Sequence, residues 1–250
     1  MRGDKIVIYE NSLHQKAVFN QKNLFCESID MTGLSGIHSV QNLAFADGQV
    51  TVSHQLSAKT IPCSFAFKNT QNDVYTKNLL ENIFIPKDNG TLTVITKDNI
   101  YSIDCYPQNA PVFKRDTVKF VYRFDIDFVS DSSLWRKGNE ISVTLKSAET
   151  IILSDNPHDL PMKIIFPSSN TATLFNVNGK GFTLKKHTMP LTVDTQTFTV
   201  KDSQGKNQNQ CIDATAELDT IYFRFGKNKI ICSPFTDVKI LYYQLSNGEM

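Results

Sequence analysis

Several features that would point to a familiar chemistry are missing from this sequence. Charged side chains make up only 20% of its 250 residues, and 26 basic and 25 acidic groups leave a net charge of +1. No stripe of lysine and arginine is concentrated enough to follow a phosphate backbone, which argues against a strongly basic nucleic-acid-binding protein. No stretch approaches 18 consecutive apolar residues, so no membrane-spanning helix is expected. The apolar run near the start is broken by Glu10 and Asn11, and no secretion signal is predicted.

Motifs that carry catalysis or hold cofactors are also missing. The sequence contains no Walker loop, no G-x-G-x-x-G and no H-E-x-x-H, and its five histidines are scattered. The segment GLSG (33–36) lacks the G-x-S-x-G spacing of a nucleophile elbow. Asp125 and Asp127 share a strand face, but an EF-hand loop starting at Asp125 would place Ser130 and Arg136 where glycine and glutamate are needed. We therefore expect no enzyme, no cofactor and no metal site.

The cysteines do not form a metal-binding or redox motif. There are five and no C-x-x-C pair, so zinc sites and thioredoxin-like motifs lack their spacing. Three of them lie in apolar strand-like runs, where free cysteine behaves as a small hydrophobe. These are Cys63, Cys105 and Cys232. We predict reduced thiols for all five, including Cys26 and Cys211, as in a reducing cytosol.

Alternation of apolar and polar residues dominates the first half of the chain. The runs 49–56 and 60–67 each alternate with period two and are predicted to pair with one another. The runs 91–96 and 100–106 are separated by a polar turn and predict a hairpin. The longest candidate strand is 117–129, with aromatic residues on one face.

One helix is predicted between these strands. Asn72 or Asp73 can cap its start and Pro86 ends it. Apolar residues at i, i+4 and i+8 define the face that should pack on the sheet. They are Tyr75, Leu79 and Ile83, flanked by Leu80 and Phe84.

The pattern of the second half of the chain predicts an antiparallel β-sandwich. After the polar stretch 130–139, about ten short strands follow at regular spacing, with turn residues between them and no helical pattern. We place the domain boundary there, which gives one domain over 1–132 and a second over 133–250. Trp135, the only tryptophan, is predicted to fill the seam between the two domains.

The order of these segments resembles the distal tail protein family of long-tailed bacteriophages, within the siphophage tail-component family. In the first half the resemblance is carried by the run Lys59-Thr60-Ile61-Pro62 and by the close of the long strand, with Asp127-Phe128, Asp131 and Leu134-Trp135. In the second half it is carried by two turn motifs. Their residues are Val193, Asp194 and Asn207, then Gly226, Asn228 and Ile230.

The resemblance implies a mainly β virion component without catalysis. The first domain is expected to be a tail-tube-like β-barrel or sandwich with one helix, and the second a galectin-like antiparallel β-sandwich. Six copies are expected to form a hub ring at the distal end of the phage tail. Such a ring joins the tail tube protein to tail-tip, baseplate or receptor-binding proteins and leaves a channel through which DNA passes. The protein would be made in the bacterial host cytoplasm and would have no membrane partner.

A ring subunit must expose strand edges or apolar patches to its neighbours. The run 59–67 and the strand 117–129 are our candidates for this interface, and the alternative is that both are internal strands. The candidate interface residues are Lys59, Ile61, Phe65, Phe120, Tyr122, Phe124 and Trp135.

The alternative function is a carbohydrate-binding module acting through the sandwich in adsorption to the host surface. Galectin-type sugar binding needs an aromatic platform beside convergent polar groups. The segment after residue 140 contains no tryptophan and a single arginine, Arg224. His158 and His187 lie in or near turns. These residues favour a docking arm over a sugar site.

Overall fold

The protein is mainly β and its paired strands are antiparallel. The computed structural model describes residues 5–20, 22–32, 36–42, 49–56, 58–68, 73–132, 134–213 and 216–246. The first ten strands are β1 (Ile6–Asn11), β2 (Lys16–Phe19), β3 (Leu24–Ile29), β4 (Gly36–Asn42), β5 (Gln49–Leu56), β6 (Lys59–Lys68), β7 (Gly90–Ile95), β8 (Ile100–Pro107), β9 (Lys114–Asp116) and β10 (Val121–Ser130). The others are β11 (Trp135–Thr144), β12 (Glu149–Ser154), β13 (Met162–Phe166), β14 (Thr173–Val177), β15 (Lys180–Leu184), β16 (Leu191–Asp194), β17 (Thr199–Asp202), β18 (Gly226–Ser233) and β19 (Lys239–Ser246).

The chain divides into two compact units. The first comprises Met1–Lys137 together with Ser246–Met250, and the second comprises Gly138–Leu245. The division falls five residues beyond the boundary expected from the polar stretch, within β11. Each unit has its own cluster of buried apolar side chains.

In the first unit, β2, β1, β7 and β8 form one antiparallel run and β3, β6 and β10 form another, and a short pairing of β8 with β10 joins the two runs. The predicted hairpin is confirmed, since β7 and β8 pair from Gly90 opposite Cys105 to Ile95 opposite Ile100. The sheets do not close on themselves, so the first unit is an open arrangement of sheets and the barrel alternative is wrong. The partner predicted for 49–56 is also wrong: β5 pairs with β4, whereas β6 pairs with β3 and β10.

The long aromatic strand is shorter than its pattern indicated. Residues 117–120 form a turn, because Phe120 has a positive φ of 51° that breaks the extended backbone, and β10 begins at Val121. From there the alternation is confirmed, with four apolar side chains on the buried face. They are Tyr122, Phe124, Ile126 and Phe128.

The helix α1 (Asp73–Ile83) closes the first core. Ile83 and the flanking Leu80 and Phe84 are buried as predicted, while Tyr75 and Leu79 are exposed, so the packing face is turned toward the flanking residues. The next residue, Leu80, is also apolar, and it is buried in the core where Leu79 is not. Asn72, one of the two predicted caps, lies outside the described residues. Among the helices that the structure describes, none is long and apolar enough to cross a membrane.

Stacked aromatic rings fill the centre of the first unit. The rings of Phe19 and Phe65 lie 4.0 Å apart, centroid to centroid, and those of Tyr9 and Phe84 lie 5.3 Å apart. The Tyr9 hydroxyl donates to the carbonyl of Asp88 at 3.1 Å, so this buried ring keeps a partner for its polar end. Gly90 lies against the same ring, and a Cβ there would come within 2.6 Å of the Tyr9 hydroxyl oxygen.

The second unit is a two-layer sandwich. One layer contains β17, β16, β13 and β19 in that order, and the other contains β12, β18, β14 and β15. Side chains from both layers meet in one core, which includes Ile164, Phe166 and Phe175. This agrees with the antiparallel sandwich predicted from the short strands.

Candidate interaction surface

Six of the seven candidate interface side chains lie in the core of the first unit. Lys59, Ile61, Phe65, Tyr122, Phe124 and Trp135 are buried, and Phe120 alone is exposed. Buried side chains stabilise their own chain, so among the seven only Phe120 presents its side chain to solvent, and the interface itself stays a prediction.

Trp135 belongs to the core of the first unit, which corrects its predicted position in a seam between domains. Its indole Nε1 donates to the carbonyl of Met31 at 3.1 Å. The buried Lys59 ammonium donates to the same carbonyl and lies 5.9 Å from the centre of the indole ring. Burial lowers the pKa of Lys59, although Asp30 acts in the opposite direction. Lys59 and Trp135 therefore fix the chain around Met31.

The two predicted interface strands are interior strands. β6 is paired on both sides, and β10 pairs with β6 along its whole length, from Val121 opposite Lys68 to Ser130 opposite Lys59. On its other side, β10 pairs with β9 at its start and with β8 near its end, and a side chain closes part of the stretch between them. Asn109 donates through its amide to the carbonyl of Asp125 at 2.9 Å and accepts from the Asp127 N–H at 2.8 Å. The amide thus replaces a strand partner, and neither strand offers a free edge along this stretch.

The turn that enters β10 presents apolar side chains to solvent. Phe120 is 68% exposed and Val118 is 85% exposed. The Asp116 carboxylate accepts from the backbone N–H groups of Val118 and Lys119, both at 3.0 Å, which holds the turn in shape. A bulky residue with positive φ is strained. The turn is thus an exposed apolar tip held by hydrogen bonds, and its signal in the sequence is the pair of apolar residues on either side of Lys119.

A charged cluster covers the outer surface beside this turn. Arg123 donates to Glu27 at 2.8 Å and to Asp116 at 2.5 Å. Backbone donation from Lys119, followed by the Arg123 guanidinium, lowers the pKa of Asp116. Sequence reasoning missed this cluster because Glu27 and Arg123 are 96 positions apart. Together with Lys114 and Arg115, these three residues line part of an open depression.

The strands β4 and β5 form a separate two-stranded sheet. They pair with one another from Gly36 opposite Leu56 to Asn42 opposite Gln49. Among the described strands, neither pairs with any other. A two-stranded ribbon is marginally stable in water, so this one needs a further surface to pack against.

The second turn motif is built around Asn228. Its side-chain oxygen accepts from the Arg224 N–H and from the Asn178 amide, both at 2.8 Å. Its own amide donates to the carbonyls of Arg224 and Gly226. Gly226 has a φ of 90°, which suits glycine. The motif therefore marks the turn that starts β18.

The other motif also forms a turn. The Asp194 carboxylate accepts from the N–H groups of Gln196 at 2.9 Å and Thr197 at 3.1 Å. Asn207 forms an isolated bridge with Lys201. Between these turns, the exposed ring of Phe198 borders a groove whose lining includes Lys185 and Leu218.

The five cysteines are free thiols, as predicted. Burial raises the pKa of Cys105 to about 12 and that of Cys26 to about 11. It also raises the pKa values of Cys63 and Cys232. These groups are neutral at physiological pH and act as apolar core residues. Among the residues that the structure describes, no three acidic, histidine or cysteine side chains are grouped to hold a metal ion.

The fold is that of the hub proteins in phage adsorption apparatus. The particular structures that it matches include the crystal structure of SPP1 Dit, described as a paradigm of the hub adsorption apparatus in phages that infect Gram-positive bacteria. This match has a TM-score of 0.70 at 12% identity and covers 97% of the chain and 99% of SPP1 Dit. The phage P2 baseplate in its activated conformation with Ca matches with a TM-score of 0.57 at 10% identity, over 98% of this chain and 99% of that one. The same baseplate with Sr gives 0.56 at 10% identity, over 99% and 100%. No protein-family model and no curated protein matches the sequence at a significant level.

Proposed function

We propose that this protein is a structural component of a phage tail, located in the virion at the distal end. Six copies form a hub ring that joins the tail tube to the baseplate or tail tip and leaves a channel for DNA. The carrying observation is the agreement of nearly the whole chain, both units included, with SPP1 Dit. The partners in this proposal are further copies of the chain, the tail tube protein and tail-tip, baseplate or receptor-binding proteins. The role requires no catalysis.

The separate ribbon of β4 and β5 supports ring formation. Within its own chain the ribbon pairs with no other described strand. In a ring each subunit offers one surface to the next copy and receives a different one, so this ribbon can pack on a neighbour. The low net charge also suits this arrangement, because copies with a large like-sign charge would repel one another.

Electron microscopy of the purified chain in negative stain tests the proposal. We expect rings with six-fold symmetry and an open centre. The informative variant replaces residues 36–56 with a short glycine-serine linker, which removes the ribbon and leaves the paired sheets of the first unit intact. This variant should retain its thermal unfolding transition and lose the rings. Rings that persist without the ribbon would show that it does not join the subunits.

The carbohydrate-binding alternative has one observation in its favour. Phe198 is exposed at a positive φ of 55°, beside a groove that also contains Asp213, Glu217 and Asp219. An aromatic ring can stack on a sugar, and neighbouring carboxylates can accept hydrogen bonds from the sugar's hydroxyl groups. A glycan array with the wild type and Phe198→Ala tests this alternative function. The alternative requires that the wild type binds a glycan and that the variant loses this binding.

A further inference from the structure

The second unit closes two of its sheet edges with its own chain. Along β15, the N–H of Lys185 donates to the carbonyl of Cys211 at 2.7 Å, and Leu184 bridges Ile212. Along β17, the N–H of Gln208 donates to the carbonyl of Val200 at 2.7 Å. Unpaired edges invite pairing with other chains, and proteins cover or protect them for that reason.

The edge at β12 is left open. β12 pairs with β18 on one side without interruption, from Glu149 opposite Ile231 to Ser154 opposite Gly226. On its other side no strand in the described part of the chain pairs with it. The strand contains no proline, no lysine and no bulge, which are the usual devices that protect an edge. This edge is therefore available to an added strand.

Apolar side chains accompany the open edge. Ile151 is 59% exposed and Leu153 is 70% exposed, on the outer face of the sheet. Phe225, 71% exposed, directly precedes the residue that pairs with the end of β12. Single exposed apolar residues are common, but three beside one open edge form a strip that a partner can cover.

The lysines beside this strip indicate that the partner segment carries an acidic side chain. Lys229 lies opposite Ile151 and forms an ion pair with Glu149 at 2.8 Å. Lys227 lies opposite Leu153 and is exposed, and no acidic side chain among the described residues forms an ion pair with it. An added strand would lie two strand spacings from β18, or about 9.6 Å. The long lysine side chain can reach across Leu153 toward a carboxylate at that distance.

We propose that β12 is a docking edge for an extended segment of a partner protein. The segment adds to the sheet as a fifth strand. Its outward side chains place an apolar group beside Ile151 and an acidic group beside Leu153, where Lys227 can reach it. Backbone hydrogen bonds supply affinity in this mode, and the side-chain rows supply selectivity. The proposal concerns Gly138–Leu245 alone and does not depend on ring formation.

Fluorescence anisotropy with the full chain and two labelled peptides tests the proposal. One peptide of nine residues alternates valine and threonine and carries a single central aspartate on the same face as its valines. The other peptide carries lysine in place of the aspartate. We expect the aspartate peptide to bind with a Kd on the order of 100 µM and the lysine peptide to bind more weakly. Lys227→Glu should reverse this preference. Hydrogen exchange should show peptide-dependent protection confined to residues 149–154.

Glutamates placed on the edge give the decisive comparison, because they remove the apolar strip and repel the peptide's aspartate. The double variant Ile151→Glu, Leu153→Glu should weaken binding at least tenfold. The matched control is Leu174→Glu, on the same face but on the interior strand β14, and it should bind as the wild type does. The thermal transitions of both should show that they are folded. Equal binding by the double variant, no binding of the aspartate peptide at 1 mM (roughly tenfold above the expected Kd), or protection elsewhere would overturn the proposal. Self-association of the chain that the double variant abolishes would assign the edge to a second copy instead.

Discussion

At the scale of single residues, the buried polar side chains are those whose removal the structure penalises most. Asn228 uses both its oxygen and its amide in hydrogen bonds with the turn before β18 and with Asn178. Removing a buried side chain of this kind leaves several backbone groups unsatisfied. The turn would then lose the contacts that fix it.

We expect Asn228→Ala to lower the free energy of unfolding by about 2–4 kcal/mol, because two or more buried hydrogen bonds lose a partner. Asn207→Ala is the matched control, since Asn207 is largely exposed and accepts from the N–H of Asn209. The control should change stability by less than about 0.5 kcal/mol. Urea unfolding monitored by circular dichroism measures both. Equal losses would show that the turn does not depend on Asn228.

The buried thiols predict a loss of stability at alkaline pH. Their pKa values are raised in the folded state, so the stability that they contribute is fully present below the unfolded pKa of about 8.5. It is lost as the pH rises toward about 11 for Cys26 and about 12 for Cys105. The lowered pKa of Lys59 has the opposite effect, because it adds stability as the pH rises. This single group is outweighed by the four thiols whose pKa values are raised, which are Cys26, Cys63, Cys105 and Cys232.

Urea unfolding between about pH 8.5 and 10.5 checks this expectation against the unfolded thiol pKa. One thiol that ionises only in the unfolded chain contributes up to about 1.4 kcal/mol per pH unit. Cys105→Ala should therefore show a shallower fall than the wild type, even though its stability at pH 7 is lower. Identical slopes would mean that Cys105 does not hold its proton in the folded state.

The sequence identified some of these residues and could not identify others. Asn228 and Gly226 stood out through their motif, and the structure places both in one turn. The pair of Glu27 and Arg123 joins residues far apart in the chain, so no local pattern could reveal it. Trp135 was predicted at a seam because sequence position alone does not show which core a large ring enters.

At the scale of elements, alternation identified strands well and their partners less well. The faces of 60–67 and of β10 follow directly from period two, because each strand has one buried side. The partner of 49–56 was wrong because proximity in the sequence favours a pairing that the fold does not use. The helix face was shifted because Leu79 and Leu80 are both apolar, and only the core decides between them.

The apolar tip before β10 gives a prediction at this scale. Phe120→Asn should leave the isolated chain as stable as the wild type or up to about 1 kcal/mol more stable, because asparagine tolerates positive φ better. The same change should weaken assembly if the tip contacts a neighbouring subunit. Phe198→Asn, also at positive φ but in the second unit, is the control and should leave assembly unchanged. Sedimentation velocity compares the assembly of the two variants. Equal assembly of both would show that Phe120 does not lie in the interface.

At the scale of the whole molecule, two units of different construction occupy one chain of 250 residues. The sequence predicted a mainly β protein with one helix and a sandwich in its second half, and the structure confirms both. It could not predict that six of the seven chosen interface residues would be buried, because an aromatic strand looks the same in a core and at an interface. The match with SPP1 Dit covers 97% of the chain, whereas the resemblance in the sequence rested on short motifs.

The mass of the assembled protein tests the hub-ring account most directly. A single chain has a mass of 28.2 kDa, and light scattering coupled to gel filtration measures the mass of the assembly without reference to its shape. The account predicts a species of about 170 kDa, six copies in closed symmetry, at tens of micromolar protein. A single species at the mass of one chain throughout that range, with no rings in negative stain, would contradict it.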